Sequence, residues 1–250
     1  MTDTERLLKN ISLSTILHWI SVESNKYKKE SFRLLKSEKM KFDNPKMKEL
    51  VRVVKDKKLD EFMDNDFVPY SYTIHSYLEH KNVEKERSYA EYDSRYRQLV
   101  CNGILVSKDR TGKPIYGFLR REKSYTEKSL IGTIGMVGGH VNSEDTTLFS
   151  GLIREMSEEL QNVTFEDILV KPLGYIREKT GKIGDQHLCV LYQISIPPRY
   201  YSRIKSKEKQ ESLVWMSKDQ LLEEVKHSQD DSLLDSWLYK AIMILLKDND

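Results

Sequence analysis

The stretch IREMSEEL, residues 153–160, decides how this chain is read, together with VGGHVNSED at residues 137–145 just ahead of it. Glu155, Glu158 and Glu159 fall at i, i+3 and i+4, so on a helix they leave from one side, one turn apart. Leu148, Leu152 and Met156 recur every four residues and offer an apolar stripe for a sheet to cover. Like charges one turn apart repel by about 0.2–0.5 kcal/mol each. Arg154 offsets part of that by pairing with Glu158 at i, i+4. The polar side then has two readings: a solvated helix face, or a site for a hard divalent cation such as Mg2+ or Mn2+.

The loop before the helix favours the second reading. In GMVGGHVNSED, Gly135, Gly138 and Gly139 permit a sharp turn and let the backbone approach an ion or a phosphate. Ser143, Glu144 and Asp145 then place cap-type and acidic residues where the helix is expected to begin.

Strand and turn signals surround this segment. QLVCNGILVS reads as a strand, KDRTGK as a turn and PIYGFLRREK as the returning strand. IGTIGMVGG is a short strand ending in glycines. ILVKPLGYIREK and HLCVLYQISIPP flank the turn TGKIGDQ as a second hairpin, ESLVWMS is a last strand, and KDQLLEEVKH and DSLLDSWLYKAIMILLK are helical. This order predicts an α/β fold, a mixed sheet covered by helices. Before it, TERLLKNISLSTILHWI and NPKMKELVRVVKDKKLDEF read as helices, the second capped by Asn44 with Pro45 in its first turn. The tyrosine-rich run over residues 70–98 reads as an aromatic cover for one side of a sheet, with base stacking as the rival.

Composition bounds the function. The 41 basic and 39 acidic side chains nearly balance, which argues against nucleic-acid binding through bulk charge. The excess is local, with 15 Lys or Arg against 9 Asp or Glu over residues 1–60. That stretch is either a solvated face or a surface for nucleic acid or another anion. Cys101 and Cys189 lack partners at metal-ligand spacing and read as reduced core thiols. With no long apolar run and a polar start, the expectation is a cytoplasmic protein that does not enter a membrane.

The segment as a whole resembles the Nudix, or MutT-like, hydrolase signature. Gly139 is followed by five residues, Asp145, eight residues, and Arg154-Glu155-Met156-Ser157-Glu158-Glu159. One residue more than the family spacing lies before Arg154, so Glu144 competes with Asp145 for the acidic position. Gln161-Asn162 stand where the family has a glycine and an apolar residue, which moves the helix stop to Asn162, a residue tolerant of the left-handed conformation. RYRQLVCNGILV and GGHVNSED are similar to a group of uncharacterised predicted MutT-family phosphoesterases.

The resemblance implies a Nudix-type α/β/α sandwich over residues 89–250, preceded by a helical N-terminal extension, 1–88, that it does not cover. It implies metal ligation by Glu155, Glu158, Glu159 and the Gly139 carbonyl, a catalytic part for Glu155 and Glu158, and an orienting part for Arg154. Of Arg120 and Arg121, at most one can face the substrate, because neighbouring strand residues point to opposite sides. His140 is either a substrate contact or an exposed turn residue, and Asp185 and His187 are candidates for a further acid or base. The implied activity is Mg2+- or Mn2+-dependent hydrolysis of a phosphoanhydride in a nucleoside diphosphate-linked substrate. The alternatives are a catalytically silent nucleotide- or RNA-binding module, or an RNA-end or cap hydrolase using the basic N-terminal helices. The chain lacks a four-cysteine zinc module, a cysteine in GMVGGH and a P-loop lysine motif, which sets aside three neighbouring classes.

Overall fold

The structure, a computed structural model, describes residues 45–63, 66–122, 132–177, 186–227 and 236–247. Internal contacts divide the chain into Met1–Glu49 and Leu50–Asp250. In the first unit the described residues form a single 3-10 turn, Pro45–Lys48. The helices expected upstream of it lie outside the described residues.

In the second unit the strands are β1 (Leu50–Lys55), β2 (Phe67–Pro69), β3 (Val83–Glu86), β4 (Tyr96–Lys108), β5 (Pro114–Arg121), β6 (Ile134–Gly135), β7 (Val137–His140), β8 (Leu160–Gln161), β9 (Leu169–Arg177), β10 (His187–Ser195), β11 (Lys205–Ser206) and β12 (Glu211–Ser217). The helices are α1 (Asp56–Leu59), α2 (Tyr72–His80), α3 (Arg87–Ala90), α4 (Leu148–Glu159), α5 (Lys218–His227) and α6 (Ser236–Lys247). Strand β4 is the spine of the mixed sheet. Along one edge it pairs in parallel with β10, and along the other it meets β1, β7 and β5 in turn, all antiparallel. The main path runs β12-β5-β4-β10-β9-β2.

Alternation along β4 sends its side chains into two cores, as expected of a strand buried on both faces. Leu99, Cys101 and Leu105 join Leu148, Leu152 and Met156 of α4 on one face. Val100 and Ile104 join Leu238, Ala241 and Ile242 of α6 on the other. The second unit is therefore the α/β/α sandwich expected. Each fully buried Leu or Met of the α4 stripe contributes about 1.5–3 kcal/mol. Neither Cys101 nor Cys189 is in a disulfide; both are buried, on opposite faces. Among the described residues, no helix is long and apolar enough to cross a membrane.

Two local expectations are corrected. The continuous helix expected over residues 44–62 is broken by a six-residue strand, Leu50–Lys55. VRVV alternates badly for a helix but buries Val51, Val53 and Val54 in a sheet, so β1 pairs with β3 and β4, and the helical residues are confined to the turns Pro45–Lys48 and Asp56–Leu59 on either side of it. Likewise β2 pairs with β9. Residues 50–86 thus supply strands to the same sheet as the rest of the unit. The tyrosine-rich run is α2, β3 and α3 rather than an aromatic cover; Tyr72 and Tyr92 are exposed, while Tyr77 packs against Phe62.

Candidate active site

Helix α4 starts three residues later than the cap expected at 143–145. Thr147 is the N-cap: its Oγ1 accepts from the Ser150 amide at 3.0 Å, and the Ser150 Oγ accepts from the Thr147 amide at 2.9 Å. Glu79 of α2 adds a carboxylate at this positive end, accepting from the Leu148 amide at 2.8 Å. The C-terminus is also earlier than expected. The helix stops at Glu159, two residues of β8 follow, and Asn162 then takes the left-handed conformation with φ 63°.

Asp145, released from capping, is buried and faces Arg154. Its Oδ1 accepts from Nε and its Oδ2 from Nη2, both at 3.0 Å. Oδ2 also accepts from the Asn142 amide at 2.7 Å, and Arg52 of β1 donates to the Asp145 carbonyl. Glu144, the competing match, is exposed. The eight-residue spacing is thus absorbed in the turn, and Asp145 occupies the acidic position.

Arg154 distributes the rest of its donors over the site. Nη2 donates to the His140 carbonyl at 2.7 Å, and Nη1 to Glu155 Oε1 at 2.9 Å and Glu158 Oε1 at 3.1 Å. Burial opposes its charge, but the hydrogen bonds to Asp145 and the nearby Glu155 and Glu158 outweigh it and raise its pKa. Arg154 is therefore a fixed cation that orients two of the three glutamates.

Glu159, like Glu155, is partly buried. Its Oε2 accepts from the Gly138 amide at 2.8 Å. Burial lifts its pKa from 4.5 to about 8; the Gly138 bond works against this, and the charges of Glu155, Glu211 and Glu158 add to it. Glu211, on β12, went unnoticed in the sequence. Alternation places it on the α4 face with Leu213 and Trp215, and only the sheet pairing reveals that.

The two glycines of β7 shape the floor. Gly138 has φ +139°, and a Cβ there would lie 2.0 Å from the Cys101 carbonyl oxygen. At Gly139 a Cβ would lie 2.6 Å from the Glu155 carboxylate carbon, so that carboxylate rests directly on bare backbone.

The remaining predicted residues divide between the two faces. Arg121 shares the α4 face and lies 3.6 Å from Glu211. Arg120 points the other way, lining a cleft of about 470 Å³ with Trp215, Gln220 and Glu224. His140 contributes its carbonyl to Arg154, but its ring lies on the far face, with Nε2 3.1 Å from His187 Nε2. His187 is buried in β10, and Asp185 lies outside the described residues.

The sequence matches no family model and no curated protein. Solved structures do match. Tm1382, a candidate Nudix hydrolase, is 21% identical with a TM-score of 0.61, covering 80% of this chain and 99% of its own. A mutT/nudix family protein from Listeria innocua is 18% identical with a TM-score of 0.44, covering 60% of this chain and 92% of its own. The Ap4A hydrolase of C. elegans is 12% identical with a TM-score of 0.43, covering 60% of this chain and 96% of its own. The fold of this chain is that of the Nudix superfamily.

Proposed function

We propose that the unit beginning at Leu50 is a Nudix hydrolase domain that cleaves a phosphoanhydride bond in a nucleoside diphosphate-linked substrate with the help of Mg2+ or Mn2+. One observation carries the reading: the Glu155 carboxylate rests on the bare backbone of Gly139 and Glu159 accepts from the Gly138 amide, with the charges of Glu158 and Glu211 near enough to raise the Glu159 pKa. The donor set is all oxygen, which fits a hard divalent ion. Glu155, Glu158 and Glu159 would hold it, with the Gly139 carbonyl as a further candidate. The bound ion would neutralise phosphate oxygens and lower the pKa of a water.

The chain's own groups do the rest. Arg154 holds Glu155 and Glu158 at the rim, while Asp145 fixes Arg154 from behind. Glu159, whose pKa desolvation raises to about 8, would give up its proton on taking up a cation. Glu158, the most exposed of the three at 57%, would be the glutamate that takes a proton from an attacking water. Arg121, on the same face and half-exposed, is the better placed of the two arginines to meet substrate phosphates. The two buried cysteines, not joined in a disulfide, suit a reducing compartment such as the cytoplasm.

The test is a panel of nucleotides with Mg2+ and Mn2+, scoring phosphate or mononucleotide release by wild type and Glu158→Gln. Turnover in the wild type that the variant loses supports the reading. A panel without turnover, together with tight nucleotide binding, would return the chain to the silent binding module.

A further inference from the structure

We propose a second, separate metal site, of the transition-metal class typified by Zn2+, on the face of the sheet opposite the glutamates. Its ligands are Glu91, His140 and His187.

The two histidines come from strands that do not touch each other. His140 ends β7 and His187 opens β10, and these strands pair with opposite edges of β4. Their rings lean toward one another over β4 until the Nε2 atoms stand 3.1 Å apart, with ring planes at 71°. Glu91, just after α3, brings a carboxylate from a third element. One ligand atom from each of the three lies within 4.8 Å of the other two. Two nitrogens on a tetrahedral Zn2+, with bonds of about 2.05 Å, stand about 3.3 Å apart, so the spacing needs little adjustment. Imidazole and a single carboxylate suit Zn2+ and its neighbours rather than Mg2+.

Other features fit a ligand better than a bare contact. A hydrogen bond between two neutral imidazoles accounts for the 3.1 Å separation, but it leaves Gln98 unexplained. Gln98 is in register with His187 and leaves β4 on the same face. It is fully buried, and neither its Nε2 nor its Oε1 has a hydrogen-bond partner. Such a group is expected to meet an ion or an ordered water. A water in the fourth position of a three-ligand site gives the amide that partner. Trp237 stands edge-on to His187 at 5.8 Å and shields the site from the α6 side, while His140 and Glu91 remain half-buried and keep an entry open. Glu91 also lies 3.5 Å from Arg87 Nε, a loose pair that leaves its carboxylate able to turn.

The site has a structural consequence for the opposite face. The His140 carbonyl is an acceptor for Arg154. An ion on the His140 ring would clamp β7 to β10 across β4 and so steady the backbone from which Arg154 hangs.

The experiment is Co2+ titration of the full chain in excess Mg2+, which competes for all-oxygen sites but poorly for imidazole. Wild type is expected to take up one equivalent with the intense visible bands of four-coordinate Co2+, to exchange it for Zn2+, and to melt higher with Zn2+ bound. Glu91→Gln and His140→Ala should each weaken uptake on the order of 10- to 100-fold, whereas Glu158→Gln should leave the bands intact. If His140→Ala fails to fold, Glu91→Gln, at a half-exposed position, decides alone. Wild type without such bands, uptake by Glu91→Gln as tight as by wild type, or bands abolished by Glu158→Gln would each overturn the proposal.

Discussion

The Arg154 guanidinium grips the Asp145 carboxylate with two bonds of 3.0 Å each, from Nε and from Nη2. This fork points the remaining Nη1 hydrogens at Glu155 and Glu158, so Asp145 governs two glutamates it does not touch. Asp145→Asn keeps the shape but turns one oxygen into a donor facing a donor. The expected result is a stability loss of about 3 kcal/mol and slower turnover with little change in KM, read by denaturant melts and steady-state kinetics. Arg154→Lys should behave similarly, because an ammonium cannot make the parallel pair.

Glu158 tests the site with the least risk to the fold. At 57% exposure it supports nothing but its contact with Arg154, so Glu158→Gln should shift stability by no more than about 0.5 kcal/mol. Turnover should fall on the order of 100-fold or more. Calorimetry with Mg2+ in the presence of nucleotide should show weakened uptake. An unchanged rate in a folded variant would remove Glu158 from the machinery.

Much of this was legible in the sequence because the signals were periodic. The four-residue recurrence of Leu148, Leu152 and Met156 and the i, i+3, i+4 glutamates define α4 by themselves, and the alternating strands around it define the sandwich. The supports were not legible. Arg52, Glu79 and Glu211 reach the site from elements far along the chain, and their contacts depend on which strands pair. Arg52 was hidden further by a run of lysines that mimics a helix; the pairing of β1 with β3 and β4 shows it to lie in a strand. His140 illustrates a different limit: its backbone and its ring serve opposite faces, and sequence position cannot separate the two.

The paired glycines should fail in different ways. Alanine at Gly138 must place its Cβ 2.0 Å from a backbone oxygen at φ +139°, and neither can yield cheaply. Gly138→Ala is expected to cost well over about 1 kcal/mol and to lower expression as soluble protein. Alanine at Gly139 meets only the far end of Glu155, 2.6 Å away, which can swing aside. Gly139→Ala should therefore fold with a near-normal melting temperature and lose activity, since the displaced carboxylate leaves its place on the floor. Finding the two variants equally unstable would contradict the close packing of Glu155 on β7.

Glu159 sets a pH dependence with a definite sign. Burial raises its pKa from 4.5 to about 8 in the folded protein. Below pH 4.5 both folded and unfolded chains carry the proton, and nothing is lost. Between about 4.5 and 8 the unfolded chain ionises while the folded one does not, so metal-free stability falls by about 1.4 kcal/mol per pH unit, on the order of 5 kcal/mol in all. A divalent ion requires the ionised form, so its affinity should climb about tenfold per unit through that window and level off above pH 8. Glu159→Gln keeps an acceptor for the Gly138 amide and removes the titration. Thermal melts in EDTA should show wild type losing stability from pH 5 to pH 8 while the variant stays flat and overtakes it. With Mg2+ added the order should reverse, because only the wild type gains. Parallel slopes in EDTA would mean that the Glu159 carboxyl is not held protonated by its surroundings.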